Sequence, residues 1–532
     1  MSASYPDSIF TDGPGGLKRL PDGSLVDRDR YFSRYSRGPV APTDREHDLR
    51  TEAERDRGRL AYSSVLRRLA GVTQVVSPDL TAARMHTRES HTHKVALVAR
   101  ELAQHVIRLA EAGHEGAVEV IRASGGLDIA ACEAAGLAHD LGHAPFGHAG
   151  ERTLHREMIK PNGSSGRRLS DGFEGNPQSF RIVTRLAGGK GNERLAMGLT
   201  NVTLCAILKY PWLREDAPME EPSSSGATEG PRTDDDQRPL KFGAYVSDED
   251  AFKLARQGVM GEGWEGNRRQ SLEAAIMDLA DDIAYAAHDL EDFVTAEMID
   301  MHDVKHELLD IVETFRDQKE IPEASGIATA RNPFLLAASK IRSRRRFDRA
   351  MYYRAAAEVL DLTTRVLERS PNDETLPAVL RSALNERIGL YFANLEVDTN
   401  VEADEPFVRL TAEHWHEIQV LKTIPRHWLI SSPRMGVIQQ AQKGTIRSLV
   451  NSLIEWVSEP DVDTAALPEG LRQTMRAAGV DLSKPIGSPL SPSHFRAIAD
   501  YVCGMSDSEA LLRAGWFAGR EIPGMAMVVE SA

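Results

Sequence analysis

The chain has 532 residues, 41% of them hydrophobic and 27% charged, with a formal net charge of −15 at pH 7. That length supplies core enough for several domains or one large helical body, and the acidic balance excludes a surface built as a whole for nucleic acid, leaving only local basic patches to meet phosphates. No apolar run reaches a membrane span and the polar start Met1-Ser2-Ala3-Ser4 lacks a signal-peptide pattern, so the expectation is a cytoplasmic protein with no membrane partner.

Residues 1–45, rich in Gly, Pro, Asp and Ser, read as an irregular arm. Helix is expected from about Arg45 to Leu69, apolar along Leu60, Val65, Leu66 and Leu69 and stopped by Gly71. The β-branched piece Val72-Thr73-Gln74-Val75-Val76 predicts a small ribbon. Thr87 to Lys94 opens the next helix, where Val95, Leu97, Val98, Leu102, Val106, Ile107 and Leu109 recur at helical spacing and Ser90 or Thr92 would cap it. His91 then falls at or just inside a helix N-terminus, facing the core. An Ala-rich helix, Ile129 to Ala138, delivers His139-Asp140, and helix resumes over Ser179–Leu186 and again from Leu195 to Leu208. Residues 214–239, dense in Pro, Ser and Asp, cannot bury enough apolar area to repay ordering and read as a disordered insertion. A strong helix spans about Ser271 to Asp292, and the rest, to about 515, alternates helical patterns with Pro-marked breaks. No period-2 series suffices for a large sheet. The expected fold is all-α, with at most a small β-ribbon: an arm (1–45), a metal-dependent core (46–300) and a helical C-terminal region (301–532) that packs on the core and contributes to oligomerisation. Cys132, Cys205 and Cys503 are widely spaced among apolar or small residues and read as buried thiols. The run Arg342-Ser343-Arg344-Arg345-Arg346 is a solvated face or a phosphate patch.

The chemistry concentrates in residues 139–151, His-Asp-Leu-Gly-His-Ala-Pro-Phe-Gly-His-Ala-Gly-Glu, where Gly142, Pro145 and Gly147 break any simple helix. His139 and Asp140 offer an imidazole and a carboxylate to a cation, and His148 with Glu151 forms a proton-transferring pair beside it. In the helix after Ser271, Asp281, Tyr285 and Asp289 are spaced i, i+4, i+8 and share a face among apolar or small neighbours. Acidic groups directed inward are costly unless a cation or hydrogen bonds meet them. His91, His139, Asp140 and Asp281 are thus four candidate ligands on separate elements. Two imidazoles with two carboxylates suit Mn²⁺, Fe²⁺, Zn²⁺ or Co²⁺ better than calcium, and point to phosphate-ester hydrolysis.

The sequence resembles the HD-type deoxynucleoside triphosphate triphosphohydrolases, of which bacterial dGTPases are the best-known members. The resemblance runs through Arg55-Asp56-Arg57, Ser64-Val65-Leu66-Arg67-Arg68-Leu69, Thr73-Gln74-Val75, Arg88 three residues before His91, all of His139–Glu151, Phe173-Glu174-Gly175-Asn176, Lys241-Phe242-Gly243, Ala280-Asp281-Asp282-Ile283-Ala284-Tyr285 and Asp500–Asp507, and so covers about residues 45–515. It implies hydrolysis of a dNTP, dGTP first, to deoxynucleoside and inorganic triphosphate by metal-activated attack at the α-phosphorus, with Mn²⁺ foremost and Mg²⁺, Fe²⁺ or Co²⁺ as alternatives. It also implies His91, His139, Asp140 and Asp281 as metal ligands and His148 with Glu151 as the catalytic pair. Gln74 and Val75 would face the deoxyribose, Arg88 a phosphate, Tyr285 the sugar and Asp289 the 3′-hydroxyl, with His143 in the pocket wall. Relatives of this type form homo-oligomers, commonly hexamers, and several respond to a dNTP or single-stranded DNA effector. His93-Lys94 and the acidic insertion depart from the family pattern. The competing readings are an HD phosphohydrolase for nucleoside monophosphates or cyclic nucleotides, and a nucleotide-sensing or nucleic-acid-binding oligomer with little catalysis.

Overall fold

The computed structural model describes residues 10–37, 48–74, 87–162, 167–187, 196–216, 241–316, 332–341, 346–370, 374–430, 433–484, 486 and 489–520. Val75 and Val76, most of the insertion expected at 214–239 (its residues 217–239) and Arg342–Arg345 lie outside these described residues. Helix dominates. The N-terminal half carries α1 (Arg28–Arg34), α2 (Glu52–Ala61), α3 (Ser64–Arg68), α4 (Arg88–Glu111), α5 (Glu115–Ala123), α6 (Ile129–Ala138), α7 (His148–Met158), α8 (Gly175–Arg181), α9 (Asn201–Ile207), α10 (Glu249–Met260) and α11 (Leu272–Thr295). Then follow α12 (Met301–Arg316), α13 (Pro333–Ile341), α14 (Arg349–Arg369), α15 (Leu376–Ala393), α16 (Ala412–Pro425), α17 (Pro433–Val457), α18 (Glu469–Ala477), α19 (Pro492–Cys503) and α20 (Asp507–Phe517).

Residues 10–37 of the expected irregular arm are ordered instead into short elements. β1 (Thr11–Asp12), β2 (Lys18–Arg19), β3 (Leu25–Val26) and β4 (Gly126–Leu127) make an antiparallel sheet in that order, followed by α1. Two-residue strands are too short to leave an alternating signal, and the arm is held by burying Leu17, Leu20, Leu25, Val26 and Tyr31. A second ribbon pairs β5 (Leu395–Val397) with β6 (Val408–Leu410). The helix expected over 45–69 is broken, because the Ser63 side chain accepts the Leu66 amide and starts α3 afresh. The cap of α4 is Thr87, one turn before the expected Ser90 or Thr92, so Arg88 and His91 both fall in its first turn. Cys132, Cys205 and Cys503 are buried free thiols.

The centre of the fold is α4 against α6 and α11, and one apolar cluster runs from these helices into α12 to α16. Gly136 lets α4 and α6 touch: a Cβ there would lie 2.6 Å from the Ala96 Cα, so any side chain would drive the helices apart. That contact brings the first turn of α4 to the C-terminal end of α6. A second apolar cluster joins α7 and the loop before it to α17, α18, α19 and α20.

Candidate active site

Three helix positions deliver the ligand candidates: His91 in the first turn of α4, His139 and Asp140 just past α6, and Asp281 in the middle of α11. Donor atoms of His91, His139 and Asp140 lie within 4.8 Å of one another. Asp281 Oδ1 is 3.2 Å from His91 Nε2 and 3.7 Å from His139 Nε2, and Asp140 Oδ1 is 3.4 Å from His139 Nε2. Neighbouring ligands at roughly 2.1 Å from a common octahedral cation are about 3 Å apart, so the four groups stand at ligand spacing.

Hydrogen bonding favours the same reading. His139 Nδ1 lies 2.7 Å from the Gly136 carbonyl, an acceptor only, so Nδ1 donates and Nε2 presents a lone pair. That buried Nε2 has no hydrogen-bond partner among the described residues and faces the oxygens of Asp140 and Asp281. Lone pair against two carboxylates is repulsive unless a cation sits between them. His91 Nδ1 lies 3.4 Å from Asp289 Oδ1, and its Nε2 lies 3.2 Å from Asp281 Oδ1. Burial pushes His91 down, but Asp289 and Asp281 more than offset it and raise its pKa to about 10. Burial also opposes ionisation of the carboxylates. His139, His143 and Arg88 nevertheless hold Asp140 well below its usual range, and Lys209 with the His91 hydrogen bond does so for Asp281. A divalent cation therefore fits the donor set.

The second cluster begins one loop later. His143 Nδ1 is 3.2 Å from Asp140 Oδ1, and its ring lies 5.4 Å from that of His148. His148 Nδ1 is 3.1 Å from Glu151 Oε2, with the His148 side chain half exposed and Glu151 buried. Gly150 sets this turn against the loop: a Cβ there would lie 1.8 Å from the Pro145 carbonyl oxygen. Phe146, at φ 66°, adopts the left-handed conformation that a bulky side chain rarely takes, and its amide donates to Asp507 at 2.7 Å.

The remaining expected residues are placed unevenly. Arg88 is already engaged, donating to Asp140 and to the carbonyls of Thr73 and Gln74. The buried Gln74 Oε1 and Asp289 Oδ2 have no partner among the described residues, and each remains open as an acceptor. Tyr285 stands one turn beyond Asp281, with Lys422 of α16 5.9 Å from its ring centre. Val75 lies outside the described residues.

Sequence reasoning missed several side chains. Lys209 bridges Asp278 at 2.6 Å and Asp281 at 2.8 Å; its signal was a cation just before Tyr210-Pro211-Trp212. Lys241 and Glu174 pair beside Glu151, and both lie in the motifs Phe173-Glu174-Gly175-Asn176 and Lys241-Phe242-Gly243. The segment 500–507 packs behind the loop: Asp500 binds Arg181 and Gln178, Cys503 Sγ donates to the Gly142 carbonyl, and Asp507 receives the Thr73 and Phe146 amides.

Comparison with known proteins agrees with this geometry. Residues 88–286 match the HD domain model and residues 408–514 the phosphohydrolase-associated domain model. A protein of Streptomyces coelicolor named deoxyguanosinetriphosphate triphosphohydrolase-like protein is 37% identical over 266 residues, 49% of this chain and 51% of the relative. A Bifidobacterium longum protein of the same name is 33% identical over 282 residues, 52% of this chain and 49% of the relative. A third, from Shewanella woodyi, is 25% identical over 489 residues, 88% of this chain and 91% of the relative. The chain spans about half the length of the first of these relatives. Fold and site together define an HD-domain protein. Within that class the chain is similar to proteins named deoxyguanosinetriphosphate triphosphohydrolase-like. No helix among the described residues is long and apolar enough to cross a membrane.

Proposed function

We propose that the protein hydrolyses a deoxynucleoside triphosphate, dGTP first, to the deoxynucleoside and inorganic triphosphate. The observation that carries this reading is the convergence of His91, His139, Asp140 and Asp281 beside a half-exposed His148 backed by Glu151. His91, His139, Asp140 and Asp281 would hold a divalent cation, Mn²⁺ foremost, which when bound neutralises charge on the phosphate and lowers the proton affinity of water. His148 handles a proton at the scissile P–O bond, and Glu151 fixes its ring by taking up Nδ1. Arg88 and Lys209 supply positive charge around the phosphates, Gln74 faces the deoxyribose, Tyr285 covers the sugar and Asp289 has an oxygen open toward the 3′-hydroxyl. His143 links the two clusters through Asp140.

The relatives' printed name supports dGTP as the first substrate to test. Incubation with each of the four dNTPs and Mn²⁺, with products separated by anion exchange, is expected to yield equal amounts of deoxynucleoside and triphosphate. Release of pyrophosphate or orthophosphate instead, or turnover of nucleoside monophosphates alone, would overturn the reading. A homo-oligomer, a hexamer foremost, with a second dNTP or single-stranded DNA site, belongs to the same proposal. Monomeric mass by light scattering together with hyperbolic rate curves for every dNTP would remove that part.

A further inference from the structure

His148 marks the open side of the site. Its side chain is 48% exposed, against 21% for Asp281, 12% for His143, 10% for Asp140, 9% for Glu151 and 5% or less for His91, His139 and Asp289. Of these groups it is the one a solute meets first. α7 carries the same face onward, with Arg152 and Arg156 at i+4 and i+8 from His148, about 6 Å and 12 Å further along the helix axis. Lys443 of α17 joins them. Arg447, one turn beyond Lys443, lies with its Nε 3.6 Å from Glu157 Oε1, which sets α17 along this side of α7. Arg156 is exposed, Arg152 and Lys443 are half-buried, and none of the three forms an ion pair among the described residues. The acids of α7 are engaged elsewhere: Glu157 is shared by Lys160, Arg168 and Arg447, and Glu151 by His148 and the Gly175 amide.

We propose that Arg152, Arg156 and Lys443 form an electrostatic funnel that draws a phosphate-rich solute, the triphosphate of a dNTP, to the opening at His148. This rests on reading a dNTP as the substrate. The chain carries a net charge of −15, which repels a polyanion at long range, and a cationic patch beside a recessed site offsets that repulsion locally. Three like charges held together are unfavourable on their own, and an approaching anion relieves them. Burial, and then the charges of Arg152 and Arg156, push the Lys443 ammonium below its ordinary range, as such crowding requires. The role needs charge at a distance and no fitted contact. At ~10 mM salt the screening length is about 30 Å and all three charges act across the opening, whereas at ~1 M it is about 3 Å and none does.

The experiment compares kcat/KM for the dNTP turned over fastest, dGTP foremost, with Mn²⁺ at about 20 mM and about 500 mM potassium chloride. Relative to the unsubstituted protein, Arg152→Gln/Arg156→Gln is expected to lose about fivefold to tenfold in kcat/KM at the lower salt and less than about twofold at the higher. Its kcat stays within about twofold at both, because the chemical step does not use these side chains. Arg152→Lys/Arg156→Lys keeps the charges without the planar guanidinium fork, and is expected to match the unsubstituted protein at both salts. A loss that persists at high salt and that lysine does not restore identifies a fitted guanidinium contact and overturns the funnel. So does a glutamine variant whose salt dependence is that of the unsubstituted protein. If the melting temperature shows that this variant does not fold, Arg156→Gln/Lys443→Gln carries the same expectations. The two levels fail differently: an unsubstituted protein that turns over no dNTP sinks the substrate reading and the funnel with it, whereas an active one whose variants keep its salt profile sinks the funnel alone.

Discussion

Removing the Asp507 carboxylate is expected to loosen the loop of residues 140–147 from the far end of the chain. Its Oδ1 accepts the Phe146 amide at 2.7 Å, and its Oδ2 accepts both the Thr73 amide, at 3.1 Å, and the Thr73 hydroxyl. Asp507 is 1% exposed, so water does not stand ready to replace these bonds. A hydrogen bond to a charged group contributes ~1.5–3 kcal/mol, and an unmade buried one costs ~1–3 kcal/mol. Phe146 adds the strain of its positive φ, of order 1–3 kcal/mol, which the Asp507 bond helps to hold. Allowing water to enter the cavity and offset about half, Asp507→Ala costs about 4 kcal/mol. Asp507→Asn keeps one acceptor oxygen but turns an amide group toward the other donor, and costs about half as much. The direct assay is hydrogen exchange of peptides covering residues 69–74 and 141–147, where 4 kcal/mol of local opening corresponds to roughly a thousandfold faster exchange. Exchange in those peptides within about threefold of the unsubstituted protein, for Asp507→Ala, would refute the argument.

Other outcomes follow from the same contacts. Gly150→Ala would place a methyl 1.8 Å from the Pro145 carbonyl oxygen, so α7 must shift off the loop; a loss of stability above about 3 kcal/mol is expected in urea titrations, and an unshifted midpoint would contradict it. His148→Ala is expected to keep its bound metal while hydrolysis falls at least about a hundredfold, measured by triphosphate release alongside metal analysis. His155, which burial and then Arg214 push down to about 4, binds its proton more readily when unfolded, near pH 6.5. Between pH 6.5 and 4 the unfolded chain therefore carries the extra proton, and stability falls with falling pH by about 3 kcal/mol before levelling off. His155→Gln is expected to flatten that slope in urea midpoints taken across the window; an identical slope would exclude His155 as its source.

The helical framework was legible because its signals are local. Ala-rich Ile129–Ala138 is bounded in the structure as its pattern predicts, and the helix expected from Ser271 begins with Ser271 as its cap. The candidate ligands could be gathered because chemistry, rather than contact, marks them: an imidazole or a carboxylate on an otherwise apolar face is conspicuous wherever it lies. What stayed hidden depends on long-range approach. Gly136 reads as one more small residue in an Ala-rich helix until Ala96 is seen against it, and Asp507 stands only as the last residue of the Asp500–Asp507 motif until Phe146 and Thr73 are found on its oxygens. Lys241 is marked only by the Lys241-Phe242-Gly243 motif and Lys209 only by its place before Tyr210, and nothing near either in the chain announces the carboxylates it meets. The strands of residues 11–26 were unreadable for a different reason, two residues being too few to establish a period.

The convergence of four side chains from separate elements on one cation is tested most directly by metal analysis of the purified protein beside His91→Ala, His139→Ala, Asp140→Ala and Asp281→Ala. The expected result is about one transition-metal ion per chain in the unsubstituted protein and a loss of at least about tenfold in metal affinity in each variant. Full metal occupancy in folded Asp281→Ala would contradict it.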